Sequence, residues 1–239
     1  MQISTSFLIT LKRRKDRLLY FNNNVKNKLK IPVEIPVEII EAVDGRTLKY
    51  DKELLSRINS WNIVNGKPKR YGVIGCCLSH LKSYEKMENL DNKIYLVFED
   101  DVRFVESMDG YNLNEILQMN LPQDWGVIYL NNDRSFVNNN KKNVKNSLVK
   151  PNKPIQYTCE AYLIKGSCAK EFYDFNKNNL GAIDAHMRLY FENSKFKQYI
   201  TYNSIFEQDI TLNTDIQKID YKPIYDYCQS FVINLKKRE

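Results

Sequence analysis

KIYLVFEDDVR, residues 93–103, is the stretch that decides the fold. The apolar residues 94–98 form an uninterrupted run, which predicts a β-strand buried on both faces, as in a mostly parallel sheet. Glu99, Asp100 and Asp101 follow where that strand ends. Ligands of open α/β sheets bind beyond the carboxyl ends of the strands. We therefore expect the functional site at these three acids.

The acidic triplet has the composition of a metal site. If the extended geometry persists, Glu99 and Asp101 point to one side and Asp100 to the other. Two carboxylates on one side suit Mg²⁺ or Mn²⁺, which completes its coordination with water and substrate phosphates, so a diphosphate is its natural partner. The alternative is a solvated strand end. Three acids behind a buried run repel one another, however, and a bound cation relieves that repulsion.

The size and charge of the chain limit the classes of protein. Its 239 residues suit one α/β domain, and the alternation of strand and helix patterns predicts three layers with a largely parallel sheet. The net charge of +7 suits phosphate-bearing ligands, nucleic acid or an anionic membrane surface. Nucleic-acid binding is disfavoured because aromatic residues do not interleave the basic runs. Residues 134–153 are predicted to be a mobile loop and 217–239 a C-terminal extension.

Cysteine spacing and the N-terminus add two expectations. The five cysteines show no CxxC spacing and no nearby histidine pair, so we expect neither a zinc site nor a disulfide framework. The first residues lack the pattern of a secretory signal, and no segment approaches membrane-spanning length. A cytoplasmic protein is expected, with peripheral membrane contact left open.

A basic segment follows the first predicted strand, 6–11. Residues 12–29 have helical spacing of apolar residues, and this helix begins with Arg13, Arg14 and Arg17 among other cations. Cations at a helix N-terminus oppose the macrodipole unless an anion lies there. The segment is either a phosphate-binding turn or a solvated basic face.

Three later segments carry further candidate residues. The predicted strand 37–42 runs into a turn that contains Asp44, and the helical pattern of 72–87 places Ser79 and His80 near the edge of its buried stripe. A lone histidine at such a position is more often structural than a ligand. Further on, Asp184 and His186 lie two residues apart at a helical start.

These motifs, taken in order, resemble glycosyltransferase family 25, the group of bacterial lipooligosaccharide galactosyltransferases and collagen hydroxylysine galactosyltransferases. The resemblance covers residues 7–216. The matching segments are AVDG at 42–45, GVIGCCLSHL at 72–81, YLVFEDDV at 95–102, AYLIKGSCAKEF at 161–172, and FEQDITLNTDI at 206–216. The chain departs from the pattern at Val73, where many relatives have Glu, and at Asn213 and Thr214, which replace a more usual Ser before Asp215.

The resemblance implies a GT-A type, Rossmann-like fold, a UDP-sugar donor, Mn²⁺ (or Mg²⁺) held by the EDD motif, and inversion at the anomeric carbon. It implies Glu99 and Asp101 as metal ligands. The donor-binding candidates are Thr10, Leu11, Arg13, Arg17, Asp44, Ser79, His80 and Asp100.

The catalytic base implied for inversion is Asp184, with His186 and Glu160 as alternatives and a helix cap as the structural interpretation of Asp184. The expected reaction moves galactose or glucose to a hydroxyl of a glycan, a lipid-linked sugar or a collagen-like chain. The alternative is a catalytically inactive sugar-nucleotide-binding module that partners another enzyme.

Overall fold

The computed structural model describes residues 3–27, 36–105, 121–131, 148–151, 159–201 and 204–212. The strands are β1 (Ile3–Thr10), β2 (Val37–Glu41), β3 (Ile63–Val64), β4 (Lys67–Pro68), β5 (Ile94–Glu99), β6 (Val102–Phe104), β7 (Trp125–Tyr129), β8 (Leu148–Val149), β9 (Ala161–Lys165), β10 (Lys197–Thr201) and β11 (Phe206–Gln208). The α-helices are α1 (Lys15–Phe21), α2 (Lys52–Arg57), α3 (Tyr71–Glu85), α4 (Gly166–Asn176) and α5 (Ile183–Asn193).

The central sheet has seven strands in the order β2-β1-β5-β9-β7-β10-β8. The strand β1 is parallel to both of its neighbours, and β7 is parallel to β10. In contrast, β9 is antiparallel to both β5 and β7, and the edge strand β8 is antiparallel to β10. All strands of the sheet except β8 and β9 therefore run in one direction, and the predicted α/β class with a mostly parallel sheet is confirmed.

The predicted burial of β5 on both faces is confirmed. Ile94, Leu96 and Phe98 belong to the apolar core on one face of the sheet, and Tyr95 and Val97 belong to the core on the other face. All five side chains are buried. Each such side chain contributes roughly 1.5–3 kcal/mol by leaving water. This strand therefore anchors the chain immediately before the acidic triplet.

Helices and a small ribbon cover the two faces. The helices α3, α4 and α5 pack on one face through residues such as Ile74, Phe172 and Met187. The other face is covered by Phe21 of α1, by the π-helical segment Asn22–Lys26 that continues α1, and by the antiparallel ribbon of β6 and β11. The three predicted layers are thus present in the described residues.

Some predicted segments lie wholly or partly outside the described residues, and others have different bounds in the structure. The helix predicted for 12–29 begins only at Lys15, and residues 28 and 29 are not described. Within the predicted loop 134–153, Leu148–Val149 forms a short strand, while residues 134–147 and 152–153 lie outside the described residues. The extension 217–239 also lies outside them. No helix in the described ranges is long and apolar enough to cross a membrane.

Candidate active site

A cleft lies at the carboxyl ends of the parallel strands β1, β2 and β5. Its volume is about 620 Å³, including the open mouth. The predicted residues that line it are Thr10, Leu11, Arg17, Asp44, Ser79, Glu99, Asp100 and Asp101. The carboxyl ends of parallel strands meet at one edge of a sheet, where ligands of α/β folds bind. The sheet therefore brings together residues that are distant along the chain.

Asp100 is held by two buried partners. The Thr10 hydroxyl donates to Asp100 Oδ2 at 2.6 Å, and Arg17 Nη1 donates to Asp100 Oδ1. All three residues are buried. A buried carboxylate is tolerable when a cation and hydrogen-bond donors compensate for its lost hydration. Because protein groups bind both of its oxygens, Asp100 links β1, α1 and β5.

The alternation of the three acids is expected only if the extended geometry persists beyond Glu99, and it does not persist. The strand β5 ends at Glu99, and residues 100 and 101 form a turn into β6, so the side chains do not alternate beyond Glu99. Arg17 Nη1 contacts Asp100 and also lies 3.9 Å from Asp101 Oδ2. All three acids line the cleft. The turn thus leaves all three acids at the cleft.

The two oxygens of Asp101, which lines this cleft, differ in their hydrogen-bond partners. Its Oδ2 accepts a hydrogen bond from Gln208 Nε2 at 3.1 Å, whereas its Oδ1 is buried and has no hydrogen-bond donor among the described residues. Burial and the nearby Glu99 raise the pKa of Asp101 to about 6, against the lowering effect of Gln208 and Arg17. An unsatisfied buried acceptor is costly. Such an oxygen, next to a second carboxylate, fits a cation ligand.

The carboxylate of Glu99 contacts a buried histidine. His80 Nε2 lies 3.0 Å from Glu99 Oε1, and His80 Nδ1 lies 2.8 Å from the Tyr162 hydroxyl, which in turn lies 2.6 Å from the Tyr84 hydroxyl. His80 has no exposed surface. The structure therefore places this predicted donor-binding residue behind Glu99 and away from the cleft surface.

Two other predicted residues shape the loop that follows β2. The Ser79 hydroxyl accepts from the Val43 N–H at 2.8 Å and donates to the Gly75 carbonyl at 2.6 Å. Ser79 thus fixes the loop against α3. Asp44 lines the cleft and forms an ion pair of 3.1 Å with Arg13, whose side chain is about half exposed. Arg13 is the more solvent-accessible cation of the predicted pair, because Arg17 is buried.

Two further carboxyl groups interact electrostatically with the acidic triplet. Burial and then Glu99 raise the pKa of Glu160 to about 8, although Asn131 donates to this carboxyl group. Burial and, more weakly, Glu99 also raise the pKa of Asp184. Neither residue lines the cleft itself. The electrostatic influence of Glu99 therefore extends to both of these carboxyl groups.

The two residues of the predicted helical start differ in their surroundings. The N-cap position of α5 is Ala182, and Asp184 lies in the first turn, where it accepts from the Ala185 N–H at 2.8 Å. His186 is fully buried, its Nδ1 lies 2.6 Å from Asn176 Oδ1, and burial lowers its pKa to about 4. His186 is therefore a structural residue in this geometry, which weakens it as an alternative base.

Sequence reasoning missed Cys76, which lines the cleft beside Glu99. Cys76 Sγ, His80 Nε2 and Glu99 Oε1 all lie within 4.8 Å of one another. The expectation of no zinc site rests on the lack of CxxC spacing and of a nearby histidine pair, and it does not consider this arrangement. Cys76 and His80 are four residues apart on a helix, and such residues share one face, so the sequence did contain the signal. Burial and Glu99 raise the pKa of the Cys76 thiol.

The sequence profile described as "Glycosyltransferase family 25 (LPS biosynthesis protein)" matches residues 3–187. The chain belongs to glycosyltransferase family 25. Family 25 relatives include procollagen galactosyltransferase 2 of Mus musculus, which is 33% identical over 150 residues, 59% of this chain and 22% of the relative. The procollagen lysyl hydroxylase and glycosyltransferase of Acanthamoeba polyphaga mimivirus is 34% identical over 187 residues, 73% of this chain and 20% of the relative.

The family 25 chain spans about a fifth of the length of these curated relatives. Another relative, from Rattus norvegicus, is named a probable inactive glycosyltransferase 25 family member 3 and is 30% identical over 132 residues, 52% of this chain and 22% of the relative. Among solved structures, one match is a Drosophila β-1,4-galactosyltransferase 7 variant in complex with manganese, UDP-Gal and xylobiose. Its TM-score is 0.45 and its sequence identity is 12%. The match covers 93% of this chain and 79% of that chain.

Proposed function

We propose that this chain is an inverting, metal-dependent glycosyltransferase of GT-A type that moves a hexose from a UDP-sugar to an acceptor hydroxyl. The observation that carries the proposal is the buried Oδ1 of Asp101, which has no hydrogen-bond donor among the described residues, in a residue that lines the cleft beside Glu99. Membership of family 25 supports the reaction class. The name of the mouse relative favours galactose as the sugar, and the names of the mouse and mimivirus relatives both favour a collagen-like acceptor.

Glu99 and Asp101 are the residues that would hold the divalent cation. Asp101 offers a buried oxygen that has no donor among the described residues, and burial and then Glu99 raise the pKa of Asp101. Oxygen ligands of this kind suit Mn²⁺ or Mg²⁺. When bound, such an ion supplies Lewis-acid stabilisation of the diphosphate as the bond to the sugar breaks.

The remaining cleft residues position the donor. Thr10 and Arg17 hold Asp100 rigid beneath the metal ligands. Arg13 does not line the cleft itself but pairs there with Asp44, and it would bind the diphosphate by exchanging that ion pair, so that Asp44 would accept from a ribose or uridine group. Ser79 acts indirectly, because it fixes the loop that carries Asp44.

Asp184 is the proposed catalytic base. A base must take the proton of the acceptor hydroxyl as that oxygen attacks, and a carboxyl group whose pKa is raised towards neutrality does this more effectively. The environment of Asp184 shifts its pKa in that direction. Glu160 is the alternative, with a pKa raised to about 8.

The test incubates purified protein with UDP-galactose or UDP-glucose, Mn²⁺, and either a hydroxylysine peptide or a glycan, and measures UDP release and the product by mass spectrometry. We expect acceptor-dependent UDP release that stops when EDTA removes the metal and resumes on addition of Mn²⁺. Binding of UDP without transfer to any acceptor would instead favour the inactive module, in line with the relative named as probably inactive. The cytoplasmic location and the peripheral membrane contact stay predictions.

A further inference from the structure

Three side chains of different chemistry meet next to the cleft, two of them lining it and the third, His80, buried behind them. Cys76 and His80 lie one turn apart on α3, and Glu99 is the last residue of β5. Glu99 Oε1 lies 3.0 Å from His80 Nε2 and 3.8 Å from Cys76 Sγ, and the three atoms are all within 4.8 Å of one another. Sulfur, imidazole nitrogen and carboxylate oxygen thus converge on a single point.

Two of these separations are close to those of a tetrahedral cation site. Zinc binds sulfur at about 2.3 Å and histidine nitrogen or carboxylate oxygen at about 2.0–2.2 Å, so neighbouring ligand atoms lie roughly 3.3–3.6 Å apart. The separations of Glu99 Oε1 from His80 Nε2 and from Cys76 Sγ are each within about 0.5 Å of that range. Small side-chain rotations would complete the geometry.

The histidine is already oriented as a ligand. Its Nδ1 is paired with the Tyr162 hydroxyl, which leaves Nε2 facing Glu99 and Cys76. Metal-binding histidines characteristically use the second ring nitrogen in such a hydrogen bond, which fixes the ring and its tautomer. Tyr84 extends the support through its 2.6 Å contact with Tyr162. Because Cys76 and Glu99 line the cleft, a fourth coordination position would face the cleft.

We propose that Cys76, His80 and Glu99 form a binding site for Zn²⁺, and that zinc bound there competes with the hard cation for Glu99. Thiolate and imidazole ligands select zinc over Mn²⁺ or Mg²⁺, whereas the pair of Glu99 and Asp101 offers oxygen alone. As Sγ binds the cation, the thiol proton passes to the solvent, because the charge of the cation favours the thiolate. Zinc binding is independent of the proposed function, and only the competition rests on it.

Cobalt substitution tests the binding without any assay of activity. The metal-free full-length chain is titrated with Co²⁺, which gives a sulfur-to-cobalt charge-transfer absorption when a thiolate is bound, and then with Zn²⁺. We expect one thiolate-bound Co²⁺ per chain, displaced by one equivalent of Zn²⁺. The variant Cys76→Ser should lose the absorption and bind zinc more than about 100-fold less tightly, beyond the loss expected for an outer-shell partner.

The matched control is Cys77→Ala, which changes the adjacent thiol that is buried in the core. It should keep the cobalt absorption. Thermal unfolding shows whether each variant is folded, and His80→Gln provides a second removal of a ligand. An absent charge-transfer band in the wild-type chain, or an unchanged band in folded Cys76→Ser, would overturn the zinc site.

The competition is measured separately. Zinc is added to the Mn²⁺-supported transfer reaction, and the rate is divided by the zinc-free rate of the same variant. Zinc should inhibit the wild-type chain at a concentration at least tenfold lower than the one that inhibits Cys76→Ser. Equal inhibition of both would overturn the competition and leave the site itself standing. If transfer is absent but the cobalt band is present, the proposed function has failed and the zinc site has not.

Discussion

At the scale of single residues, the neighbouring acids Asp100 and Asp101 have different environments. Thr10 and Arg17 occupy both oxygens of Asp100, whereas Gln208 occupies only one oxygen of Asp101. The other oxygen of Asp101 is buried without a donor in the described residues. Asp100 therefore stabilises the fold of the site, and Asp101 is the acid that has an unsatisfied oxygen.

The ion pair of Arg17 and Asp100 is expected to matter for stability. The variant Arg17→Met leaves a buried carboxylate without its cation, which costs about 3 kcal/mol in the free energy of unfolding. Urea denaturation measures this loss. The control is Arg103→Met, which breaks the exposed ion pair with Glu207 and should cost less than about 1 kcal/mol. Equal losses in the free energy of unfolding would show that the buried ion pair contributes no more to stability than the exposed one.

The proposed role of Asp184 predicts a loss of turnover without a loss of donor binding. Asp184→Asn removes the proton acceptor, so kcat should fall by about 100-fold or more while the Kd for UDP stays within twofold. The control on the same helix is Glu192→Gln, whose carboxylate pairs with Arg188. Steady-state kinetics and calorimetry provide the two values. Unchanged turnover in Asp184→Asn would remove this residue from the mechanism.

The sequence placed the acidic triplet correctly because a long apolar run marks β5 unambiguously. It did not reveal the contact between Thr10 and Asp100, which are 90 residues apart and meet only through the pairing of β1 with β5. It also did not reveal that the chain turns at Asp100. Turn geometry at that point depends on tertiary contacts that a local pattern does not contain.

At the scale of elements, the cleft depends on a close approach between the loop after β2 and the start of α3. A Cβ atom added at Gly75 would lie 2.4 Å from the Val43 carbonyl oxygen, and one added at Gly45 would lie 1.8 Å from the Tyr71 carbonyl oxygen. These neighbours are backbone atoms, which yield only if the loop or the helix moves. The two glycines therefore set the width of this side of the cleft.

Substitution of Gly75 by alanine should widen this contact and displace Asp44. We expect Gly75→Ala to weaken UDP binding by about tenfold or more and to lower the free energy of unfolding by about 1–3 kcal/mol, as for an overpacked contact. Calorimetry with UDP and Mn²⁺ measures the first effect. The control is Lys82→Ala on the exposed face of α3. Wild-type UDP affinity in folded Gly75→Ala would contradict this account of the loop.

The sequence predicted most strands and α3 because their apolar patterns are strong. Ile74, Cys77, Leu81 and Tyr84 do form the buried face of α3, as their spacing predicts. The reversed direction of β9 was not predictable, because a strand buried on both faces has the same apolar pattern in either direction. The spacing of apolar residues likewise does not indicate that α1 ends early and continues as a π-helix.

At the scale of the whole molecule, the excess of buried acids predicts how stability depends on pH. The folded chain holds a proton on Glu160 up to about pH 8, whereas the unfolded chain releases it near 4.5. The folded state therefore binds more protons in this window, and the free energy of unfolding falls as pH rises. Each such proton gives a slope of at most about 1.4 kcal/mol per pH unit.

The clearest window for this measurement lies between pH 6.5 and 8. Below it, the lowered pKa of His186 acts in the opposite direction, because stability from a neutral buried histidine rises with pH between about 4 and 6.5. Chemical denaturation of the metal-free chain in EDTA should show falling stability across pH 6.5–8. Glu160→Gln should flatten the slope. A slope unchanged in Glu160→Gln would assign the effect to other groups.

The central claim is that Glu99 and Asp101 bind a cation that in turn holds the diphosphate of a UDP-sugar. Isothermal titration of the full chain with UDP, with and without Mn²⁺, tests it most directly, with Asp101→Asn as the variant and Glu207→Gln as the surface control. We predict that UDP binds the wild-type chain and the control only when Mn²⁺ is present, and that Asp101→Asn binds at least about 100-fold less tightly. UDP binding of equal affinity without the metal, or in Asp101→Asn, would contradict the account.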